Sequence, residues 1–202
     1  MRKTIITIAL ALIAVLPSFA QMSIGAGYLE STKKVGSVSS AQNGFYVGAE
    51  NTIGDFGPFK VTPGVYFEYA TSSESTDFFG LAGTTGKSTE MYLDVPVNFS
   101  YGVDFEGARL FGYAGPTFSL GCLSNIETSA SVLGQSSGVT TIDQYEQNGN
   151  YGRFDLMVGG GVGVDIDVLR LTIGYNYGLI DRDGGSADLH RTCLRIGLAL
   201  LF

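Results

Sequence analysis

The sequence predicts an all-β protein: an eight-stranded antiparallel up-and-down transmembrane β-barrel with short periplasmic turns and long extracellular loops. Three observations carry that expectation. Apolar residues recur at every second position in segment after segment, the period of a strand with one apolar face. The connections between those segments alternate strictly between short and long, as in a barrel with turns at one end and loops at the other. Composition agrees: 45% of the 202 residues are hydrophobic and only 15% are charged, against ~25% charged in soluble proteins.

The chain opens on an export signal. Met1-Arg2-Lys3 is basic, Thr4 to Leu16 is almost unbroken apolar, and Ser18-Phe19-Ala20 is a small-x-small cleavage site before Gln21. These predict a cleaved signal peptide over residues 1–20 and a barrel domain over residues 21–202. Pro17 ends the apolar run short of the ~20 residues that cross a bilayer as a helix. Gln21 to Phe202 contains no apolar run of that length, so strands are the expected way to hold this chain in a membrane.

The strands follow in order. Met22–Leu29 and Gly44–Asn51 are weakly patterned. Phe59–Ala70 sets Phe59, Val61, Val65, Phe67 and Tyr69 against Lys60, Thr62, Tyr66 and Glu68. Glu90–Val103 alternates most cleanly, with Met91, Leu93, Val95, Val97, Phe99, Tyr101 and Val103 on one face and Tyr92, Asp94, Asn98 and Ser100 on the other. Ala108–Gly121 alternates least. Arg153–Asp165 and Leu169–Leu179 resume the pattern, and Leu194, Ile196, Leu198, Leu200 and Phe202 close it. The short connections are Thr52–Pro58, Asp104–Gly107 and Ile166–Val168. The long ones are Glu30–Asn43, Thr71–Thr89, Cys122–Asn150 and Asp181–Leu189. Pro63, Pro96 and Pro116 fall inside strands of a barrel that has no free edge to host them. Bulges or kinks are expected at these prolines, and a bend at Gly159-Gly160-Gly161.

A soluble lipocalin-like barrel also has eight alternating strands, but its apolar face points inward. Here the polar face carries Gly, Tyr, Asn and charges of both signs rather than the many Lys and Glu of a solvated surface. Aromatics fall near strand ends, as two membrane girdles would. Tyr28, Phe45, Tyr69, Tyr92, Tyr151 and Tyr177 lie on the loop side, and Phe56, Phe59, Tyr101, Phe105 and Phe202 on the turn side. The expected location is the cell outer membrane.

Met91-Tyr92-Leu93-Asp94-Val95-Pro96-Val97-Asn98 and Gly112-Tyr113-Ala114-Gly115-Pro116 resemble the outer membrane protein beta-barrel domain family, porin-like proteins of Bacteroidetes-type Gram-negative bacteria. Arg153-Phe154-Asp155, Val158-Gly159-Gly160-Gly161-Val162-Gly163-Val164 and Gly174-Tyr175-Asn176-Tyr177-Gly178-Leu179 resemble the later part of the same domain. The resemblance spans nearly all of residues 21–202. It implies the fold and is almost silent on activity.

The polar face gathers Glu50, Lys60, Glu68, Asp94, Arg109, Arg153, Asp155, Arg170 and Arg195. In an eight-stranded barrel this face lines a lumen only wide enough for side chains. Opposite charges that nearly cancel predict a charge network plugging that lumen, and hence a non-enzymatic barrel with a structural or surface-interaction role carried by its loops. One alternative is a small-solute porin with a charged constriction. A second is a lipid-modifying enzyme of the outer leaflet centred on His190, which lies at the outer rim near Asp188 and several loop hydroxyls. No G-x-S-x-G signature accompanies that histidine.

No cofactor or metal is expected from one His and two Cys, and the Asp181–Asp188 loop lacks calcium-loop spacing. A net charge of −7 argues against nucleic acid. The expected partners are outer-membrane lipids, the barrel-assembly machinery and periplasmic chaperones. Phe202, a terminal aromatic in register with the apolar face, is the expected assembly signal. A Cys122–Cys193 disulfide, which the periplasm permits, would need the longest loop to dip into the lumen, because Cys193 shares the inward parity of Arg195.

Overall fold

Eight long strands run alternately up and down in a computed structural model of the chain. They are β1 (Met22–Val35), β2 (Val38–Asn51), β3 (Phe59–Phe78), β4 (Ala82–Phe105), β5 (Ala108–Val132), β6 (Phe154–Ile166), β7 (Leu169–Gly178) and β8 (Leu189–Leu201). The structure describes residues 21–36, 38–78, 82–132, 135–136, 138–147, 151–183 and 188–202. The predicted signal peptide lies outside the described residues. Each strand pairs antiparallel with its sequence neighbour, and β8 returns to β1 through pairs from Ser23↔Leu201 to Val35↔Leu189. The ring is therefore closed.

Alternation sets the two faces. Ile24, Val47, Phe67, Phe99, Phe118, Val162, Ile173 and Leu198 are among the exposed outward residues, while Glu68, Asp94, Asp155 and Arg191 are buried inward. The turn end is tight. Gly57 (φ 73) and Gly107 (φ 79) adopt the left-handed backbone, as does Asp167 (φ 54) between β6 and β7, a conformation an aspartate tolerates better than a branched residue. The turn-side aromatics Phe56, Tyr101, Phe105 and Phe202 are all more than half exposed.

Several expectations need correction. Most of the residues expected as long loops are strand. β1 and β2 continue to Val35 and Val38 around Gly36, β3 and β4 continue to Phe78 and Ala82, and β5 continues to Val132. Paired backbones satisfy their own hydrogen bonds whatever side chains face the water, so Ser/Thr-rich hairpins persist beyond the apolar wall. Strands β3 to β5 have 20, 24 and 25 residues and β6 to β8 have 13, 10 and 13. Since ~9–11 residues cross the bilayer, one side of the ring projects as a sheet. Short strands at Gln135–Ser136 and Thr140–Asp143 and the helix α1 (Gln144–Gln147) extend it along β5.

The prolines do not bulge. Around Pro63, Pro96 and Pro116 individual pairs drop out, but the register is unchanged on both sides. The one shift between β4 and β5 lies at Met91/Tyr92, opposite Cys122, which is the extra residue. Pairing also runs unbroken through Gly159-Gly160-Gly161. Those glycines instead make room. A Cβ on Gly161 would stand 2.7 Å from the Tyr113 hydroxyl, and one on Gly163 would enter the Phe111 ring. Phe111 and Tyr113 also explain why β5 alternates poorly, since its large residues point inward and Gly112 and Ala114 point outward. Tyr92 and Tyr151 do not join the loop-side girdle, because both are buried.

Candidate functional site

Inward parity brings residues from distant parts of the chain to two levels of the lumen. Toward the loops, Glu68 of β3 accepts hydrogen bonds from Arg195 Nε at 2.6 Å and from Arg191. Asp94 of β4 accepts from Arg195 and, at 2.5 Å, from the Ser119 hydroxyl of β5. Arg191 also donates to Ser31 of β1 and to Ser119, each at 3.1 Å, and its guanidinium lies 3.6 Å over the Tyr92 ring. Two arginines and two carboxylates, none more than 9% exposed, thus link β3, β4 and β8, with serines from β1 and β5 completing the donors and acceptors.

A second cluster sits above this one at the outer mouth. Glu90 meets the Lys33 ammonium at 2.5 Å and accepts from Tyr92 and Ser124 at 2.8 Å each. Arg182, from the connection after β7, donates to the Gly152 carbonyl, to Tyr92 and to Tyr145 at 2.8–3.0 Å. Tyr145 is carried inward by α1, and its ring lies 5.3 Å from that of Tyr151. Burial pushes the Tyr145 hydroxyl up to about 12, so it stays protonated and able to donate. Asp181 beside this cluster accepts from the backbone N–H groups of Asp183 and Leu189. Those bonds hold its carboxyl below the usual range.

Toward the turns the lumen is looser. Arg170 makes a two-pronged pair with Asp165 at 2.7 and 3.0 Å and approaches Glu50 at 3.4 Å. Asn98 donates to Glu50, Lys60 to Gln21 and Arg109 to the Pro58 carbonyl. Between these groups and Arg195 lies a cavity of about 60 Å³, lined in part by Tyr46, Tyr66, Asn98 and Tyr113. It shares Lys60, Asp165 and Arg170 with a cavity of about 310 Å³ at the turn-side mouth, where Phe202 also lies.

Of the nine charged residues expected inside, Glu68, Asp94 and Arg195 come together, as do Glu50 and Arg170. Arg153 and Asp155 do not pair with each other. Arg153 precedes β6, escapes its parity and stacks 4.2 Å from the Tyr145 ring, while Asp155 accepts from the Ile180 N–H at 3.3 Å. Sequence reading missed Arg191, Glu90, Lys33 and Arg182. The first three share the inward parity of Cys193, Asp94 and Ser31, which would have found them; Arg182 lies outside any strand and gave no such signal. Both cysteines are free, Cys122 exposed and Cys193 buried. His190 faces outward, its Nδ1 3.1 Å from the Gly178 carbonyl and its ring stacked on Tyr177. The middle of the Asp181–Asp188 loop, residues 184–187, lies outside the described residues.

A closed ring of eight antiparallel strands, apolar outside and charged within, with tight turns at one end, is the architecture of an outer-membrane β-barrel of Gram-negative bacteria. The family described as outer membrane protein beta-barrel domain matches residues 20–184, and the chain belongs to it. No curated protein matches the chain in sequence. Among solved structures it is similar to Ail of Yersinia pestis, crystallised with the heparin analogue sucrose octasulfate, at 17% identity and a TM-score of 0.51 over 91% of this chain and 99% of that one. Neisserial surface protein A gives 15% identity and a TM-score of 0.50 over 90% and 98%. The outer membrane enzyme PagL gives 10% identity and a TM-score of 0.45 over 90% and 99%. Identities this low speak to fold alone. The protein resides in the outer membrane.

Proposed function

We propose that this is a non-enzymatic outer-membrane barrel with a plugged lumen, whose structural or surface-interaction role is carried by the parts that project beyond the wall. The Arg191–Glu68–Arg195–Asp94 cluster carries the reading. A solute crossing at that level would have to separate buried charges that hold one another, leaving each uncompensated. Water-filled channels are features of barrels with ~16 strands. The cavity of about 60 Å³ below the cluster has room for a few waters. Refolded protein in planar bilayers is expected to be silent, and a stable ion current from the wild type would replace this reading with a small-solute porin.

The projecting sheet of β3 to β5 supports a surface role. Its exposed charged residues include Glu74, Asp77 and Lys87, with Glu146 of α1 beside β5. This acidic balance favours a basic partner over a sulfated polyanion of the kind bound to Ail. Protease added to whole cells should cut within residues 71–89 or 122–150 and spare the turns. Phe202, whose N–H is bonded to the Met22 carbonyl at 2.8 Å and whose ring is exposed, is proposed as the signal read by chaperones and assembly machinery. Phe202→Ala should slow barrel accumulation, and normal accumulation would remove that role.

A further inference from the structure

We propose that the outer rim of the β1–β8 seam binds the phosphorylated headgroup of an outer-leaflet lipid. This deepens the proposed non-catalytic reading, since it gives His190 a binding role in place of a chemical one.

The site follows from register. Lys34 pairs directly with His190, and Thr32 with Thr192 one row nearer the membrane. All four have the outward parity of Tyr28 and Ile196, so two basic groups and two hydroxyls share one patch of outer wall. Directly opposed residues have Cβ atoms ~5 Å apart, and like charges so placed repel. A shared phosphate relieves that repulsion and accepts from both.

His190 is braced for the task. Its ring stacks on Tyr177, and its Nδ1 faces the Gly178 carbonyl at 3.1 Å. With Nδ1 turned to that carbonyl, the other ring nitrogen, Nε2, is the one left to face a ligand at the rim. Below the patch the wall turns apolar through Leu194, Ile196 and Leu198, beside Tyr28 and Phe45 on the neighbouring strands. Acyl chains of a lipid whose phosphate sits at Lys34 have that wall to lie against. The acidic neighbours are Asp181, which accepts from the Leu189 N–H beside His190 at 2.9 Å and interacts with the His190 ring, and Asp155 behind it on β6. Two more are Asp188, just before β8, and Glu30 on β1, which stands two rows nearer the membrane, ~13 Å from Lys34 along the strand. None of the four lies in the β1–β8 rows that carry the two basic groups and the threonines.

Native mass spectrometry of the folded barrel tests this. The protein is released from vesicles of phosphatidylcholine doped with bisphosphorylated lipid A, or with the same glycolipid stripped of both phosphates. Wild type should retain the phosphorylated form preferentially. Lys34→Gln and His190→Gln should each lower retention about fivefold, the factor that ~1 kcal/mol per basic group at an anionic surface represents. Lys87→Gln, on the projecting sheet, should leave it unchanged. Equal retention of the dephosphorylated lipid, unchanged retention in the rim variants, or displacement of the lipid by millimolar inorganic phosphate would each overturn the proposal. The spectra also weigh the lipid. A His190-dependent loss of acyl mass would overturn the non-enzymatic reading on its own, with retention still reporting binding.

Discussion

The two levels of the lumen use the same inward-facing positions and many of the same residue types, yet one is filled and the other keeps a cavity. Toward the loops, Glu68, Asp94, Arg191 and Arg195 reach to the middle and meet. Toward the turns, Tyr46 lies along the wall over Gly27 and Gly197, Tyr66 over Gly48, Phe111 over Gly163, and Tyr113 over Gly161 and Gly174. A ring that lies over a glycine on the next strand stays flat against the wall, and the axis is left open. In a barrel this narrow the placement of glycine decides where space remains, and charge decides how the filled part is held.

The largest effect should come from the filled level. Arg191→Ala would strand Glu68 with one partner fewer in a buried site, and breaking such an arrangement costs about 3–5 kcal/mol. Urea unfolding of the refolded barrel should show a lowered midpoint, and Glu68→Leu combined with Arg191→Met should be less damaging than Arg191→Ala alone. Equal midpoints for wild type and Arg191→Ala would mean that the level is solvated.

At the open level the expected damage is steric. Gly197→Val would drive a side chain into Tyr46 and should cost about 1–3 kcal/mol, the range for overpacking. Adding Tyr46→Ala should recover most of that loss in the same unfolding assay, whereas Tyr46→Ala added to Arg191→Ala should recover nothing. Rescue in both backgrounds would erase the distinction between the levels.

Smaller again is the pair at the turn-side mouth. Arg170 and Asp165 are each partly exposed, at 14%, so Asp165→Asn should cost about 1 kcal/mol or less once solvent screening is allowed for. A loss as large as that of Arg191→Ala would show that this level is as dry as the other.

The smallest effect belongs outside the lumen. The carboxyl of Asp181 titrates below its ordinary value because the Asp183 and Leu189 amides donate to its ionised form. Its contribution is therefore fully present above about pH 4 and fades as pH falls through the lowered value. Amide chemical shifts of Leu189 and Asp183 should move together in that acid range, and Asp181→Asn should flatten the response. A transition above pH 5 would assign it to another group.

Much of this was readable from residue order because a membrane strand announces its faces. Clean alternation in Glu90–Val103 fixed which side of β4 meets lipid, and parity alone placed Glu68, Asp94 and Arg195 inside. It failed where parity is interrupted or cannot reach. The extra residue at Cys122 reverses the faces of the rest of β5, bringing Ser124 inward to Glu90. Arg153 stands just ahead of β6 and answers to Tyr145 instead of to the lumen. The Ser/Thr-rich stretches beyond the wall have no apolar face, so their strands leave no periodic trace although their backbones pair fully.

The closing seam also has a consequence in time. The carboxylates Glu68 and Asp94 belong to β3 and β4, and both arginines that neutralise them belong to β8, which pairs with β1 from the opposite end of the barrel sequence. Contacts this remote in sequence form late, because a long chain segment must first be brought together. Until β8 docks, the nascent sheet carries two acids with no arginine beside them and an unsealed edge on β1. Zipping of the seam and neutralisation of the interior are thus a single event, and a chain that has not received its eighth strand carries its interior charge as a mark of incompleteness.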